Sequence, residues 1–508
     1  MKKHLYPAAI YKAAALAGFL VMLMAIPACK KDMLDVAPQG IITDDNFFST
    51  PENALLGVNG VYNVLRLNTF NEGLFPILDI MSDDSRKGSN PDDAKANIGD
   101  PYDEFQVNAV TTNSQTWYNT LYVGVRRANA VIERVPSIAM DTILRNRYVA
   151  EARFLRALFY LDLARGFGNV PFITSLTLPS IDQLRQDSGK QVYDQIVRPD
   201  LEFALKNLPA GYAGADLGRA TQWAAHGLLA RAALYYKDYP TAETAARAVI
   251  NSGVFSLEPD YERAFSVAGQ YGPESVFEIG AIGQEDNNGD QGGNQYGNAQ
   301  GVRGSPNRGW GFNRPSIGLL RAFEPGDSRK QKAFIYVGEV IDGITIAGDG
   351  ATADFTLDTK TGDTLEYEIY NQKVWTPGIN VPTQWGHHRR MIRYADILLM
   401  AAEAVVQNSA DLGLAASYVN RVRERARNGV AGVVPDVPAD GNLINAIYNE
   451  RRLELCLESS RFYDLVRTGR TSVMEPLGFK KGKHEFQPLP QSEIDITAGK
   501  LIQNPGYN

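Results

Sequence analysis

Glu450, Glu454 and Glu458 stand four residues apart and so line one face of a helix. Carboxylates are the raw material of acid–base chemistry, but a glycosidase needs its two acids across a cleft, one with a raised pKa. Like charges at this spacing repel, and Arg451, Arg452 and Arg461 are near enough in sequence to neutralise them. The series therefore reads as a salt-bridged structural network, and no catalytic residue is assigned. His387 and His388 are adjacent, so they point in different directions on either a helix or a strand, and no third metal ligand stands nearby. Asp286–Gly297 approaches a calcium-loop pattern but has Gln291 and Gly297 where that loop needs Gly and Glu. The chain has no GxSxG, HExxH or GxxxxGK[ST] motif. No metal and no cofactor is expected.

Residues suited to binding are better represented. Trp310, Trp385 and Tyr296 fall in or beside a polar, Gly- and Asn-rich stretch that also holds Asn294, Arg303, Arg308 and Asn313. Flat aromatic faces beside fixed donors and acceptors suit a sugar ring, which has apolar C–H faces and a rim of hydroxyls. Trp117 and Trp223 lie in helical stretches and read as core, Trp375 is ambiguous, and Cys456 between Leu455 and Leu457 reads as a small mid-helix core residue.

The elements that must position these residues are mostly helices. Thr50 followed by Pro51 is an N-cap with proline at the first helical position. Trp117 to Val135 and Asp141 to Arg165 carry apolar residues three and four apart. Two alanine-rich hairpins follow, Thr221–Tyr236 with Pro240–Asn251, and Arg393–Gln407 with Leu412–Arg427. This rhythm of paired helices is similar to tetratricopeptide repeats. A last helix is expected from Asn442 to about Val466. The expected fold class is mainly α: tetratricopeptide-like helical pairs over 50–265 and 391–470, packed against a loop-rich segment, 266–390. Within that segment, alternation such as Thr364–Tyr370 predicts small β hairpins.

Composition bounds the function. The chain has 508 residues, 44% hydrophobic and 21% charged, with a net charge of −7. This is ordinary globular composition, which excludes wholesale disorder and a polytopic membrane protein. Lys2, Lys3 and Lys12 lie in the N-terminal segment, so the remainder is more acidic still, which gives no electrostatic reason to seek nucleic acid. The apolar run Ala13–Ala28 behind those lysines has the pattern of a secretory signal peptide, 1–28. It ends Ile26-Pro27-Ala28-Cys29, which resembles a bacterial lipobox. Cys29 is then the lipidated first residue of a mature single domain, 29–508, and the acyl chains (palmitate among them) tie it to a membrane.

Five segments in order resemble the SusD/RagB family. They are Trp117-Tyr118-Asn119-Thr120-Leu121-Tyr122 with Arg127-Ala128-Asn129; Glu151–Ala157 through Gly168-Asn169-Val170-Pro171; Ile392–Leu399 with Ala402-Glu403-Ala404; Glu450–Leu455 with Arg461–Leu465; and Pro488-Leu489-Pro490 through Gln503–Tyr507. Together they span nearly the whole mature chain. The resemblance implies the family's fold and a role without catalysis: capture of a glycan or oligosaccharide at the outer-membrane surface and delivery to a SusC-like TonB-dependent transporter. It also implies, by position, a contact loop from Asp83 to Tyr102, which adds Arg86 and Tyr102 to the candidate ligand residues. Peptide cargo is the alternative within the family, and a surface glycoside hydrolase the alternative outside it.

Overall fold

A computed structural model describes residues 47–90, 92–281, 295–349, 356–357, 364–365, 368–376 and 386–507. The expected leader, Cys29, Asn294 and Trp385 lie outside the described residues. Phe48–Asn508 form one compact unit.

Local signals set the helices. In α1 (Pro51–Arg66) the Thr50 hydroxyl accepts from the Asn53 amide at 3.3 Å, which satisfies one of the donors a helix start leaves unpaired. β1 (Ser85–Gly88) and then α2 (Thr112–Arg134) follow. α3 (Thr142–Phe167) is capped by Asp141, whose carboxylate accepts from the Leu144 amide at 2.8 Å. α3 is buried on nearly every side from Tyr148 to Phe167 and forms the centre of the main apolar core. α4 (Arg198–Asn207), α5 (Gln222–Tyr235) and α6 (Tyr239–Asn251) complete the first helical stretch.

The loop-rich part holds β2 (Ser275–Ile279), β3 (Phe312–Pro315), β4 (Phe334–Tyr336) and β5 (Ile369–Asn371). β6 (Arg389–Arg393) leads directly into α7 (Tyr394–Asn408), then α8 (Leu412–Arg427), α9 (Leu443–Glu454) and α10 (Arg461–Thr468). Each helix from α1 to α6 packs on the next, and α6 packs on α7 and α7 on α8. The two helical stretches are therefore continuous in space although the loop-rich segment separates them in sequence. Buried Ala224, Ala225, Ala230, Ala242, Ala245, Ala246, Ala401 and Ala402 allow that close approach. A larger side chain in such a seam costs about 1–3 kcal/mol.

The sheets are small and antiparallel: β1 pairs with β3, β2 with β6, and β5 with β4. Two satellite apolar clusters lie under the loops, one around Tyr261, Phe323 and Phe334, the other around Val302, Tyr370 and Trp375. Among the described residues no helix is long and apolar enough to cross a membrane.

Two expectations change. The single helix over 442–466 is broken into α9 and α10, with Leu457 and Ser459 in left-handed conformation between them. The cause is competition for carbonyls. Lys373 Nζ donates to Glu454 O (3.1 Å) and Cys456 O (2.7 Å), and Arg393 Nη2 donates to Glu454 O at 3.1 Å. Cys456 thus lies in the turn rather than mid-helix; it is buried, and burial pushes its thiol up to about 11.

The glutamate series is ion-paired, but by other arginines than its sequence neighbours. Glu450 meets Arg329 (2.5 Å) and Arg423 (2.9 Å); Glu454 meets Arg425 (2.6 Å) and Arg393 (2.9 Å); Glu458 meets Arg393 (2.8 Å) and Lys373 (2.6 Å). Arg451, Arg452 and Arg461 instead hold Asp396, Asp464, Asp83 and Asp84.

Candidate functional site

The pairing of β1 with β3 sets Arg86 opposite Arg314 and Gly88 opposite Phe312, and so brings the 83–103 loop of the first half against the 295–315 stretch of the second. Asn313 locks this ribbon. It is fully buried at a φ of 58°, a left-handed conformation that asparagine tolerates better than most residues. Its Nδ2 donates to Gln300 Oε1 (2.7 Å) and Asp79 Oδ2 (3.1 Å), its Oδ1 accepts from the Ser85 hydroxyl, and Asn371 Nδ2 donates to the same Gln300 oxygen at 2.9 Å. Burial, with Glu72 adding to it, pushes the Asp79 carboxyl up to about 8. A network satisfied at every member makes a rigid floor.

At one end of the ribbon an aromatic group reaches the surface. Trp310 is half-buried, its ring 6.0 Å from that of Phe75, which meets Phe312 edge to face at 4.9 Å. Gly311 follows at a φ of 75°. A Cβ there would lie 3.0 Å from Arg303 and 3.1 Å from Tyr370, so the glycine lets the backbone after Trp310 pass close to Arg303. Arg303 ties three segments together: its Nη1 donates to Ser89 Oγ (2.7 Å) and to Asp93, and its Nε meets Asp349 Oδ2 at 2.9 Å. A shallow cup opens here, lined by Arg303–Asn307 and Asp349. Below it Glu368 is buried beside Asp349, and burial followed by that neighbour pushes its carboxyl up to about 7.

The residues singled out from sequence fall into two groups. Arg86 and Trp310 lie half-buried on or next to the ribbon. Tyr102, Tyr296 and Arg308 are drawn inside. Tyr102 is fully buried, with its hydroxyl 2.8 Å from Ser114 Oγ and accepting from the Ser114 amide at 2.9 Å. The Tyr296 ring lies under the Arg389 guanidinium at 4.3 Å. The Arg308 guanidinium lies 5.2 Å from the Trp375 ring, and its Nη1 reaches Thr376 O at 3.4 Å. Asn313 serves as floor rather than as a surface contact. Sequence reading missed Phe75, Asp93 and Asp349, which join Trp310 and Arg303 only through the fold. The one local hint was Phe75 directly before Pro76 and after Gly73, in a turn where Leu74 takes a φ of 106°.

The loop face offers a planar aromatic group at Trp310 and Phe75 and, in the cup, a guanidinium paired with carboxylates. It can hold a polyhydroxylated ligand.

Two family models match the chain: the SusD family over residues 273–476, and a family described as starch-binding associating with outer membrane over residues 79–234. The SusD-like protein P2 of Formosa agariphila is 27% identical, with 96% of this chain and 99% of that protein aligned. A solved laminarin-binding SusD-like protein is 27% identical, with a TM-score of 0.73 over 90% of this chain and 100% of its own. Surface glycan-binding protein A of Bacteroides thetaiotaomicron, solved in complex with laminarihexaose, shares the fold at a TM-score of 0.73 and 24% identity, over 90% of this chain and 100% of its own.

Proposed function

The chain belongs to the SusD-like family, and from that premise we propose that it captures glycan at the outer-membrane surface and hands it to a SusC-like TonB-dependent transporter. The observation that carries the reading is the loop face beyond the β1–β3 ribbon, which holds the half-buried Trp310–Phe75 pair and, separately, the cup where Arg303 meets Asp93 and Asp349. Apolar sugar faces lose water against the aromatic rings, while hydroxyls take over hydrogen bonds from the guanidinium and carboxylates around the cup. The laminarin-binding relative, whose whole length this chain matches, makes β-glucan the first ligand to try.

No chemistry on the glycan is proposed. The carboxylates aligned on α9 and in the turn behind it are held in ion pairs. Of the residues singled out from sequence, Arg86, Asn294, Trp310 and Trp385 are proposed as contacts; Tyr296, Arg308 and Tyr102 act from beneath. Retention at the membrane rests on lipid at Cys29.

The test is affinity electrophoresis of the chain beginning after Cys29, against laminarin and a panel of other polysaccharides, with reducing ends assayed in the same samples. Retardation without new reducing ends is expected. Released sugar would replace the binding reading with a hydrolytic one, and no retardation on any glycan would favour peptide cargo. Co-purification with the transporter after detergent extraction tests the partnership.

A further inference from the structure

Where residues 493–501 meet α2, the surface opens on a cavity of about 390 Å³ that shares no residue with the face around Trp310 and Arg303. Three walls form it. Tyr118, Tyr122 and Val125 come from α2, and Pro171 to Leu184 from the loop that follows α3. The third wall is the short helix Gln491–Ile496 with the turn behind it, as far as Leu501.

Hydrogen bonds hold these walls in place. At the root of the loop Val170–Pro171 pairs with Gln186–Asp187, and the Tyr122 hydroxyl donates to Pro171 O at 2.8 Å. The Tyr160 hydroxyl, from α3, donates to Ile173 O and accepts from the Ile173 amide, both at 2.8 Å. Glu133, near the end of α2, accepts from the Leu176 amide at 3.0 Å. On the opposite side Gln186 and Ile502 bond reciprocally, side-chain amide to backbone carbonyl and backbone amide to side-chain oxygen, each at 2.8 Å. A cavity braced in this way is formed before any ligand arrives, and its size is that of a small-molecule site.

The lining is mostly apolar and its rim stands open to water. Leu178 is 66% exposed, Ile181 47% and Ile496 67%, and all three line the same cavity. Single exposed aliphatic side chains are ordinary, but several around one cavity mark a place where something apolar is received.

Glu493 is out of keeping with that lining. It is half-buried, and among the described residues no side chain donates to its carboxylate or pairs with it; burial pushes the carboxyl up and no neighbouring charge offsets the effect. Buried glutamates elsewhere are matched: Arg219 meets Glu151 at 2.9 Å, and Arg467 meets Glu403 at 2.7 Å. The other charged group at the cavity, Arg126 on α2, is exposed and leaves Glu493 uncompensated. Burial and then the Glu493 charge push the Tyr118 hydroxyl up, which places the carboxylate close to Tyr118 and Tyr122, whose rings lie 4.9 Å apart. A carboxylate at the edge of an apolar cavity is costly for the chain alone. A cation that arrives with an apolar body of its own relieves that cost, and neighbouring aromatic rings add to its attraction.

We propose that this cavity is a second binding site, for a small ligand with an apolar body and a protonated amine, the body lying against Leu178, Ile181 and Ile496 and the ammonium pairing with Glu493. The site goes beyond glycan capture, since it differs from the Trp310 face in both its lining and the class of ligand it takes.

The experiment titrates the chain beginning after Cys29 with a matched series, 4-phenylbutylammonium, 4-phenylbutanol and 4-phenylbutyrate, followed by NMR of the isoleucine methyl groups. The amine is expected to shift the methyls of Ile173, Ile181 and Ile496 and to bind about tenfold more tightly than the alcohol, as a gained contact between opposite charges gives. The carboxylate is expected to bind more weakly than either. Glu493→Gln should bring the amine down to the level of the alcohol and leave the alcohol unchanged, and Leu178→Ser combined with Ile181→Ser should weaken both. Equal binding of amine and alcohol, an amine preference that survives Glu493→Gln, affinity untouched by the double variant, or no shift of those methyls with any of the compounds overturns the proposal. Should Glu493→Gln fail to fold, the wild-type preference for amine over alcohol decides.

Discussion

Arg393 and Arg303 each gather carboxylates from distant stretches of chain, at opposite ends of the burial scale. Arg393 has 1% of its side chain exposed and meets Glu274 (2.5 Å), Glu454 (2.9 Å) and Glu458 (2.8 Å). Arg303 has 29% exposed and meets Asp349, which is largely covered, and Asp93, which is 44% exposed. In the interior the pairs cannot trade partners with water. Despite burial, Arg425, Arg393 and Arg329 hold the Glu454 carboxyl far below the ordinary range. Such a network adds little net stability over an apolar core, but it admits few alternative packings once formed. On the loop face, pairs in contact with solvent are weak and exchangeable, which is what a surface needs if a ligand's hydroxyls are to displace them. The same side-chain chemistry gives a framework in one region and the proposed binding surface in the other because the dielectric differs.

The largest expected effect breaks the interior side of this contrast. Arg393→Ala leaves Glu274, Glu454 and Glu458 short of a partner in the core, and a loss of about 3–5 kcal/mol is expected by denaturant unfolding. A loss under about 1 kcal/mol would put the interior network on the same footing as the surface one.

On the face, Trp310→Ala is expected to weaken glycan binding about tenfold, or about 1.4 kcal/mol, while the unfolding midpoint moves little. A large loss of stability with unchanged affinity would return Trp310 to the core. Arg303→Ala sharpens the contrast with Arg393→Ala in the same denaturation assay, where less than about 1 kcal/mol is expected.

The smallest effect concerns Glu368, whose carboxyl burial pushes up to about 7. Folding then favours its protonated form, so its cost to stability grows as pH rises from the unfolded value of about 4.3 towards 7 and stays constant above. Glu368→Gln removes that cost, and its gain in melting temperature should be larger at pH 8.5 than at pH 5.5, by about 1 °C. An equal gain at both pH values would show that Glu368 ionises like an exposed glutamate.

Much of the helical framework was readable because its causes are local. Thr50 and Asp141 cap helices within three residues of themselves, and the three-and-four spacing of apolar residues marks which faces go inside. The break at 455–460 was not readable, since the donors that take its carbonyls are Lys373 and Arg393, far away in sequence. The candidate site was legible as a region and not as a set of atoms. A polar, aromatic-rich stretch marks where a ligand would go, but Tyr102, Tyr296, Arg308 and Trp310 look equally available in a sequence. Ser114, Arg389 and Trp375 take the first three inward.

Composition, spacing and capping residues were enough to decide a mainly helical chain with alanine-rich pairs and a loop-rich middle, because each depends on neighbours within a turn or two of helix. Which arginine neutralises which glutamate and which aromatic reaches the surface were decided only by the tertiary structure. Charge pairing and burial act through distance in space, and the β1–β3 ribbon and the α6–α7 contact bring together segments that no local rule connects.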